Sequence, residues 1–204
     1  MVELLEKDNG KEVAIGVEDM TFANAIFDDQ NYRDAVETLM QLRSDKPIGN
    51  SQPLHAAILF EAFFKNAKKR VCIFCKNLND NIFGNAFVRE AAELALLQNK
   101  IIIDIIIQEE APDAGLFAQF LENNKSNSLL RVRKVQKEKT RNAPVNFCVM
   151  DDHALRFEKD HNNVKAFAIM YSPALASMLL EKFEKLSKET IPVQIQLSDP
   201  AYAI

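Results

Sequence analysis

A chain of 204 residues with 48% hydrophobic and 26% charged side chains can bury one substantial core, and only 5 Gly and 7 Pro argue against long disordered tracts. The longest near-continuous apolar run, 101–107, is too short to span a bilayer, and MVELLEKDNG lacks the basic start and apolar core of a signal peptide. No membrane contact and a cytoplasmic location are therefore expected. Three cysteines, an odd number in strand-like apolar surroundings, suit reduced buried thiols rather than a disulfide framework.

In chain order, VELLEK, DNG and KEVAIGV read as a β-hairpin, because Asn9-Gly10 supplies the positive φ of a tight turn. Residues 21–43 place apolar side chains at helical intervals around the polar patch DDQN, which fits one broken helix or two short ones. Ser51 is a candidate cap for a helix with an early Pro53, and LHAAILFEAFFKNAKKR runs on to a basic last turn that suits the helix dipole. The strand VCIFC follows, then a helix in NAFVREAAELALLQN. IIIDIII is a short β-branched run, the signature of a parallel strand covered on both faces. A short helix over 112–123 precedes the strands LLRVRKV, VNFCVM and VKAFAIM, and Ser172-Pro173 opens a final amphipathic helix with Leu175, Leu179, Phe183 and Leu186 on one face. The alternation implies an α/β sandwich around a mostly parallel or mixed sheet with helices on both faces.

Several residues invite a chemical reading that the local pattern answers more simply. Cys72 and Cys75 form a Cys-x-x-Cys, but on a strand they point to opposite faces and no second ligand pair appears. Asp104 interrupts an apolar strand, where a carboxylate is costly unless hydrogen-bonded or at the sheet's edge; an edge or strand-end position is expected. His153 and His161 flank RFEKD, and with Asp151, Asp152, Glu158 and Asp160 they suggest a metal cluster. Asp-Asp-His between two strands is ordinary turn chemistry, so neither metal nor cofactor is expected.

Charge is unevenly spread. Residues 125–141 hold seven basic residues against the single acid Glu138, in a chain of net charge −4. Arg131 and Arg133 alternate with Leu130, Val132 and Val135, and so share the solvent face of a strand; with Lys134, Lys137 and Lys139 they form a candidate polyanion strip. Lys65, Lys68, Lys69 and Arg70 make a second basic patch. The competing reading is a solvated strand edge guarded by charge, favoured because no aromatics interleave the strip to stack bases.

The most informative stretch is 142–173, NAPVNFCVMDDHALRFEKDHNNVKAFAIMYSP, read as a strand, an acidic turn, a second strand and a capped helix start. With the preceding order of elements it resembles one half of a phospholipase D-like domain over roughly 48–192. Residues 1–47 would then be a hairpin and helical extension and 193–204 a tail. Catalytic members of that superfamily carry His-x-Lys-x4-Asp, the His as nucleophile and the Lys neutralising phosphoryl charge. With Asp151 as the motif aspartate, those positions hold Pro144 and Asn146; with Asp152, Val145 and Phe147. Neither register supplies a nucleophile. The resemblance thus implies a degenerate, non-catalytic binding or scaffold subunit, with Asn146, Asp151 and Ser172 lining a polar pocket. A setting in a bacterial defence or regulatory system is compatible with it, though no residue identifies one. Because superfamily half-domains meet face to face, a single half implies a homodimer, with a polyanion or a protein as further partner. The alternatives are a phosphodiesterase or nuclease with a non-standard nucleophile, for which His153 and His161 are the nearby candidates, and a small-ligand sensor using the carboxyl ends of the parallel strands.

Overall fold

The computed structural model describes residues 29–50, 52–109, 115–136, 145–159, 166–193, 195 and 197. The elements are α1 (Asp29–Gln41), β1 (Ile48–Asn50), α2 (Pro53–Asn66), β2 (Arg70–Cys75), α3 (Asp80–Phe83), α4 (Ala86–Leu97), β3 (Ile102–Ile107), α5 (Gly115–Asn123), β4 (Leu130–Val135), β5 (Asn146–Met150), β6 (Ala154–Glu158), β7 (Ala166–Ile169), α6 (Pro173–Ser187) and β8 (Thr190–Pro192). The strands form one mixed sheet in the order β1-β7-β6-β5-β2-β3-β4-β8. β2, β3 and β4 run parallel, and every other neighbouring pair is antiparallel.

Strand alternation divides the core in two. On one face Val71, Ile73, Cys75, Ile103, Ile105, Ile107, Cys148 and Met150 pack beneath α1 to α5. On the other, Cys72, Phe74, Ile106, Phe147, Val149, Leu155 and Phe157 pack beneath α6 through Ala176, Leu179, Leu180 and Phe183. Being covered twice is why β2 and β3 are apolar at nearly every position. The α/β sandwich with helices on both faces is as the sequence implies.

The N-terminal hairpin lies outside the described residues, as does the first part of the 21–43 helical segment. Its remainder is α1, whose Tyr32 and Val36 belong to the same buried cluster as α2 and the sheet. Other local expectations need correction. The residue at the cap of α2 is Gln52, not Ser51, with Pro53 in the first turn. Ser172 occupies the N-cap position of α6, but its side chain makes no capping hydrogen bond. Where an acidic turn was expected, 154–158 is a fourth strand of the antiparallel half, β6, and the turn shrinks to Asp151, Asp152 and His153. β1, β8 and α3 carry too few residues for a periodic signal. Among the described residues no helix is long and apolar enough to cross a membrane.

Candidate functional site

The site begins with a conflict inside β6. Ala154, Arg156 and Glu158 alternate with Leu155 and Phe157, and because helices cover both faces, Arg156 and Glu158 are carried into the core. Arg156 is 4% exposed and Glu158 8%. Buried charges persist only when paired and hydrogen-bonded. Arg156 Nη2 accordingly donates to Glu158 Oε2 at 3.0 Å and to Asn50 Oδ1 at 3.3 Å. Register supplies the rest: Asn50 on β1 lies opposite Ala166 on β7, Ala166 opposite Glu158 on β6, and Glu158 opposite Asn146 on β5. Four strands thus place Asn50, Glu158 and Asn146 in one row on one face. The small Ala166 and Ala168 between β1 and β6 leave room for the long charged side chains to cross.

Asn146 closes the row by bridging two elements. Its Oδ1 accepts the Lys76 backbone N–H at 2.7 Å, and its Nδ2 donates to Glu158 Oε2 at 3.3 Å. The Arg156 guanidinium also sits 5.8 Å from the Phe60 ring centroid, a cation–π contact. Behind Asn50, Tyr32 on α1 and His55 on α2 stack with ring centroids 3.8 Å apart and planes 2° from parallel. Burial pushes the Tyr32 hydroxyl well above its ordinary pKa, so it stays protonated.

The row of Asn50, Glu158 and Asn146 borders a pocket of ≈ 270 Å³ at the carboxyl end of β2, beside the first turn of α2 and α3. Asn50, Asn146, Arg156 and Glu158 form its polar side, and Phe60, Ile73, Ile82 and Phe83 are among its apolar residues. Lys76, itself 3.4 Å from Glu109 Oε1, and Asn77 also line it. Cys75 lines it as well, with its thiol pushed up to about 12 by burial. A ligand at the carboxyl end of a parallel strand is what an open α/β sheet ordinarily accommodates.

The structure does not bring the three residues of the expected polar pocket together. Asn146 starts β5, whereas Asp151 follows its end, about 17 Å further along an extended chain. There the Asp151 carboxylate accepts backbone N–H groups of Lys68 at 2.9 Å, Lys69 at 2.8 Å and Arg70 at 3.0 Å, with its own backbone at φ 55°. Ser172 is at that same far end, its N–H donating to the His153 carbonyl at 2.6 Å. His153 is there too, with Nδ1 3.2 Å from Asp152 Oδ1 and its ring 5.7 Å from that of Tyr171. That contact with His153 holds the Asp152 carboxyl below the usual carboxylate range. His161 lies outside the described residues.

Two residues of the expected basic strip, Arg131 and Arg133, face an internal acid. β4 is not an edge, since β3 and β8 flank it. Asp104, expected at an edge or strand end, stands within the interior strand β3, 7% exposed. Arg133 Nη2 donates to Asp104 Oδ1 at 2.6 Å, and Arg131 Nη1 lies 3.7 Å from Asp104 Oδ2. The Arg133 guanidinium further reaches the Ser187 carbonyl at 3.4 Å and lies 5.9 Å from the Phe183 ring centroid. Lys134 ends the register with β3 opposite Ile107; Lys137 and Lys139 lie outside the described residues. Cys72 and Cys75 do face opposite sides, one in each cluster. Among the described residues no group of three His, Cys, Asp or Glu side chains is disposed to hold a metal ion.

Sequence reasoning missed Arg156 as a site residue and weighed Glu158 only as a metal-cluster or turn acid. Their signal was the i, i+2 spacing of two opposite charges between Leu155 and Phe157, which marks a buried pair once the segment is recognised as a doubly covered strand.

Comparison with known proteins places the fold in a class. Nuc from Salmonella typhimurium, described as a phospholipase D family member, superposes with a TM-score of 0.52 at 15% identity, covering 73% of this chain and 99% of that one. NucT from Helicobacter pylori gives 0.52 at 11% identity, covering 72% and 98%. TrmBL2, an archaeal chromatin protein whose structure shows a mode of DNA binding, gives 0.53 at 11% identity, covering 80% and 63%. The chain therefore has a phospholipase D-like fold. It belongs to the family described as Domain of unknown function (DUF7931), whose model matches residues 52–194. Comparison with curated protein sequences finds no match.

Proposed function

We propose that this chain is a phospholipase D-like domain that binds or assembles rather than cuts, a pseudoenzyme whose pocket lacks a nucleophile. The carrying observation is the chemistry of the pocket wall. Its described residues include no His, Ser, Thr or Tyr; the one thiol is Cys75, and with a pKa of about 12 it stays protonated at neutral pH. The Glu158 carboxylate is tied by two donors, which lowers its reactivity as a nucleophile. Asn146, at the family's lysine position when Asp151 is the motif aspartate, is neutral and committed to Lys76 and Glu158. It supplies no positive charge for a phosphoryl group.

Loss of the nucleophile in such a reaction costs several orders of magnitude in rate. Purified protein incubated with single-stranded DNA, RNA and a chromogenic phosphodiester, with and without divalent metal, is expected to show no turnover above background. Turnover that disappears in His153→Ala or His161→Ala would establish the nuclease alternative instead. The remote position of His153, at the opposite end of β5 from the pocket, counts against that histidine as the nucleophile.

A further inference from the structure

The end of the sheet opposite the pocket carries a surface that the binding reading does not use. Backbone hydrogen bonds fix what meets there: the Tyr171 N–H donates to the Ser44 carbonyl, Ser172 to His153, Asp151 to Arg70, and Ile102 to Lys69. From Tyr171 after β7, across β6, β5 and β2 to β3, this end is about 19 Å wide. Arg43, Lys46, Lys68, Lys69 and Lys100 are exposed along it. The exposed acids Asp45 and Asp152 offset only part of that charge, and the pairs Arg70–Glu184 and Lys125–Glu122 cancel. The end is therefore cationic in a chain of net charge −4.

Two of its corners are strained. α1 closes with Arg43 at φ 48°, where the Arg43 N–H donates to the Met40 carbonyl and the Ser44 N–H to that of Leu39; Lys100 follows α4 at φ 59°. Glycine is the ordinary residue in this left-handed position. Beside each cation stands an exposed leucine: Leu42, 71% exposed, and Leu97, 40% exposed, whose carbonyl accepts from Lys100 Nζ. The Arg43 guanidinium lies 4.2 Å from the Tyr171 ring centroid, which holds it to the sheet end. Helix dipoles favour cations at these C-termini, but they give no reason for the strained backbone or for leucines left in water.

We propose that this end is a docking face for an anionic lipid surface, with Arg43 and the lysines against the headgroups and Leu42 and Leu97 inserted among them. Each cation near such a surface strengthens adsorption roughly fivefold, and the leucines gain by leaving water, which a nucleic-acid backbone does not offer them. Docking this way leaves the pocket, at the other end of the strands, facing away from the lipid. Adsorption needs no spanning segment; it departs from the sequence expectation of no membrane contact, which rested on the absence of one. It is independent of what the pocket binds.

The test is flotation of the full chain with vesicles of phosphatidylcholine containing about one third phosphatidylserine, and with vesicles of phosphatidylcholine alone. Wild type is expected to float with the anionic vesicles at low salt, to be released as salt rises, and to ignore the neutral ones. Lys68→Glu combined with Lys69→Glu is expected to weaken binding by about a hundredfold or more. Both lysines hold Asp151 through backbone N–H groups, so reversing their side-chain charge leaves that anchor in place. Leu42→Ser combined with Leu97→Ser is expected to weaken binding by about tenfold. No binding to the anionic vesicles, or equal binding to both compositions, would overturn the proposal, as would undiminished binding by either double variant. Binding of a labelled oligonucleotide that is lost in the lysine variant, without vesicle binding, would assign the face to nucleic acid instead. None of these failures bears on hydrolysis, which the turnover assay reads separately.

Discussion

Asp151 shows how one residue can hold a fold where its chemistry would suggest a site. Its carboxylate gathers three consecutive backbone N–H groups, Lys68 to Arg70, at the junction of α2 and β2, and its left-handed backbone turns the chain from β5 into β6. Hydrogen bonds to a charged acceptor contribute about 1.5–3 kcal/mol each, and the amides lose them together if the carboxylate goes. Asp151→Asn keeps a residue tolerant of positive φ and isolates the carboxylate. Its expected cost is about 2–4 kcal/mol, a fall in melting temperature of about 5–12 °C in thermal unfolding. A fall below about 2 °C would show that the amides find water instead. The presence of an aspartate at a motif position was legible in the sequence; that it faces the chain's own backbone was not, because its partners lie more than eighty residues away.

At the scale of elements, β4 illustrates how pairing redirects charge. A run of basic residues on one strand reads as a polyanion surface, but β3 brings Asp104 into register with Arg131 and within reach of Arg133. The two arginines differ in what they give up to that pairing. Arg131 is 56% exposed at its side chain, and its pair with Asp104 is screened by water. Arg133 is 22% exposed and also packs on α6. If the strip is a polyanion surface, Asp104 limits it: Asp104→Asn frees both guanidinium groups and is expected to raise affinity for a labelled oligonucleotide severalfold at low salt, with the gain shrinking at physiological ionic strength. Equal affinities for wild type and variant, or no binding by either, would remove the strip as a nucleic-acid surface. Binding through Arg131, Arg133, Lys134, Lys137 and Lys139 without sequence preference is the form it would take.

At the scale of the molecule, Nuc and NucT are matched over 99% and 98% of their length, so this chain carries one complete unit of the fold. With superfamily half-domains expected to meet across their motif faces, we propose a two-fold dimer with the β5 side of the pocket near the axis. Such a contact is isologous and buries the same surface on both copies. Light scattering at micromolar concentration is expected to give about twice the 23.1 kDa chain mass. A monomer at every accessible concentration would remove the dimer and leave the pocket a property of the single chain.

The alternation of helical and β-branched segments determined the α/β layering, and the doubly apolar runs at β2 and β3 determined that both faces of the sheet are covered. Periodicity assigns a side chain to a face, however, and not to a neighbour. Which strands stand side by side is decided by long-range pairing, here an order in which β5, β6, β7 and β1 follow one another beside β2. That order alone sets Asn50 beside Arg156, 106 residues away, and converts Arg156 and Glu158 from polar residues of an apparent turn into the charged wall of a pocket. It also moves Asp151 and Ser172 to the opposite end of the sheet. The physical reason is that burial of a charge depends on what covers both faces of its strand, which the tertiary packing settles.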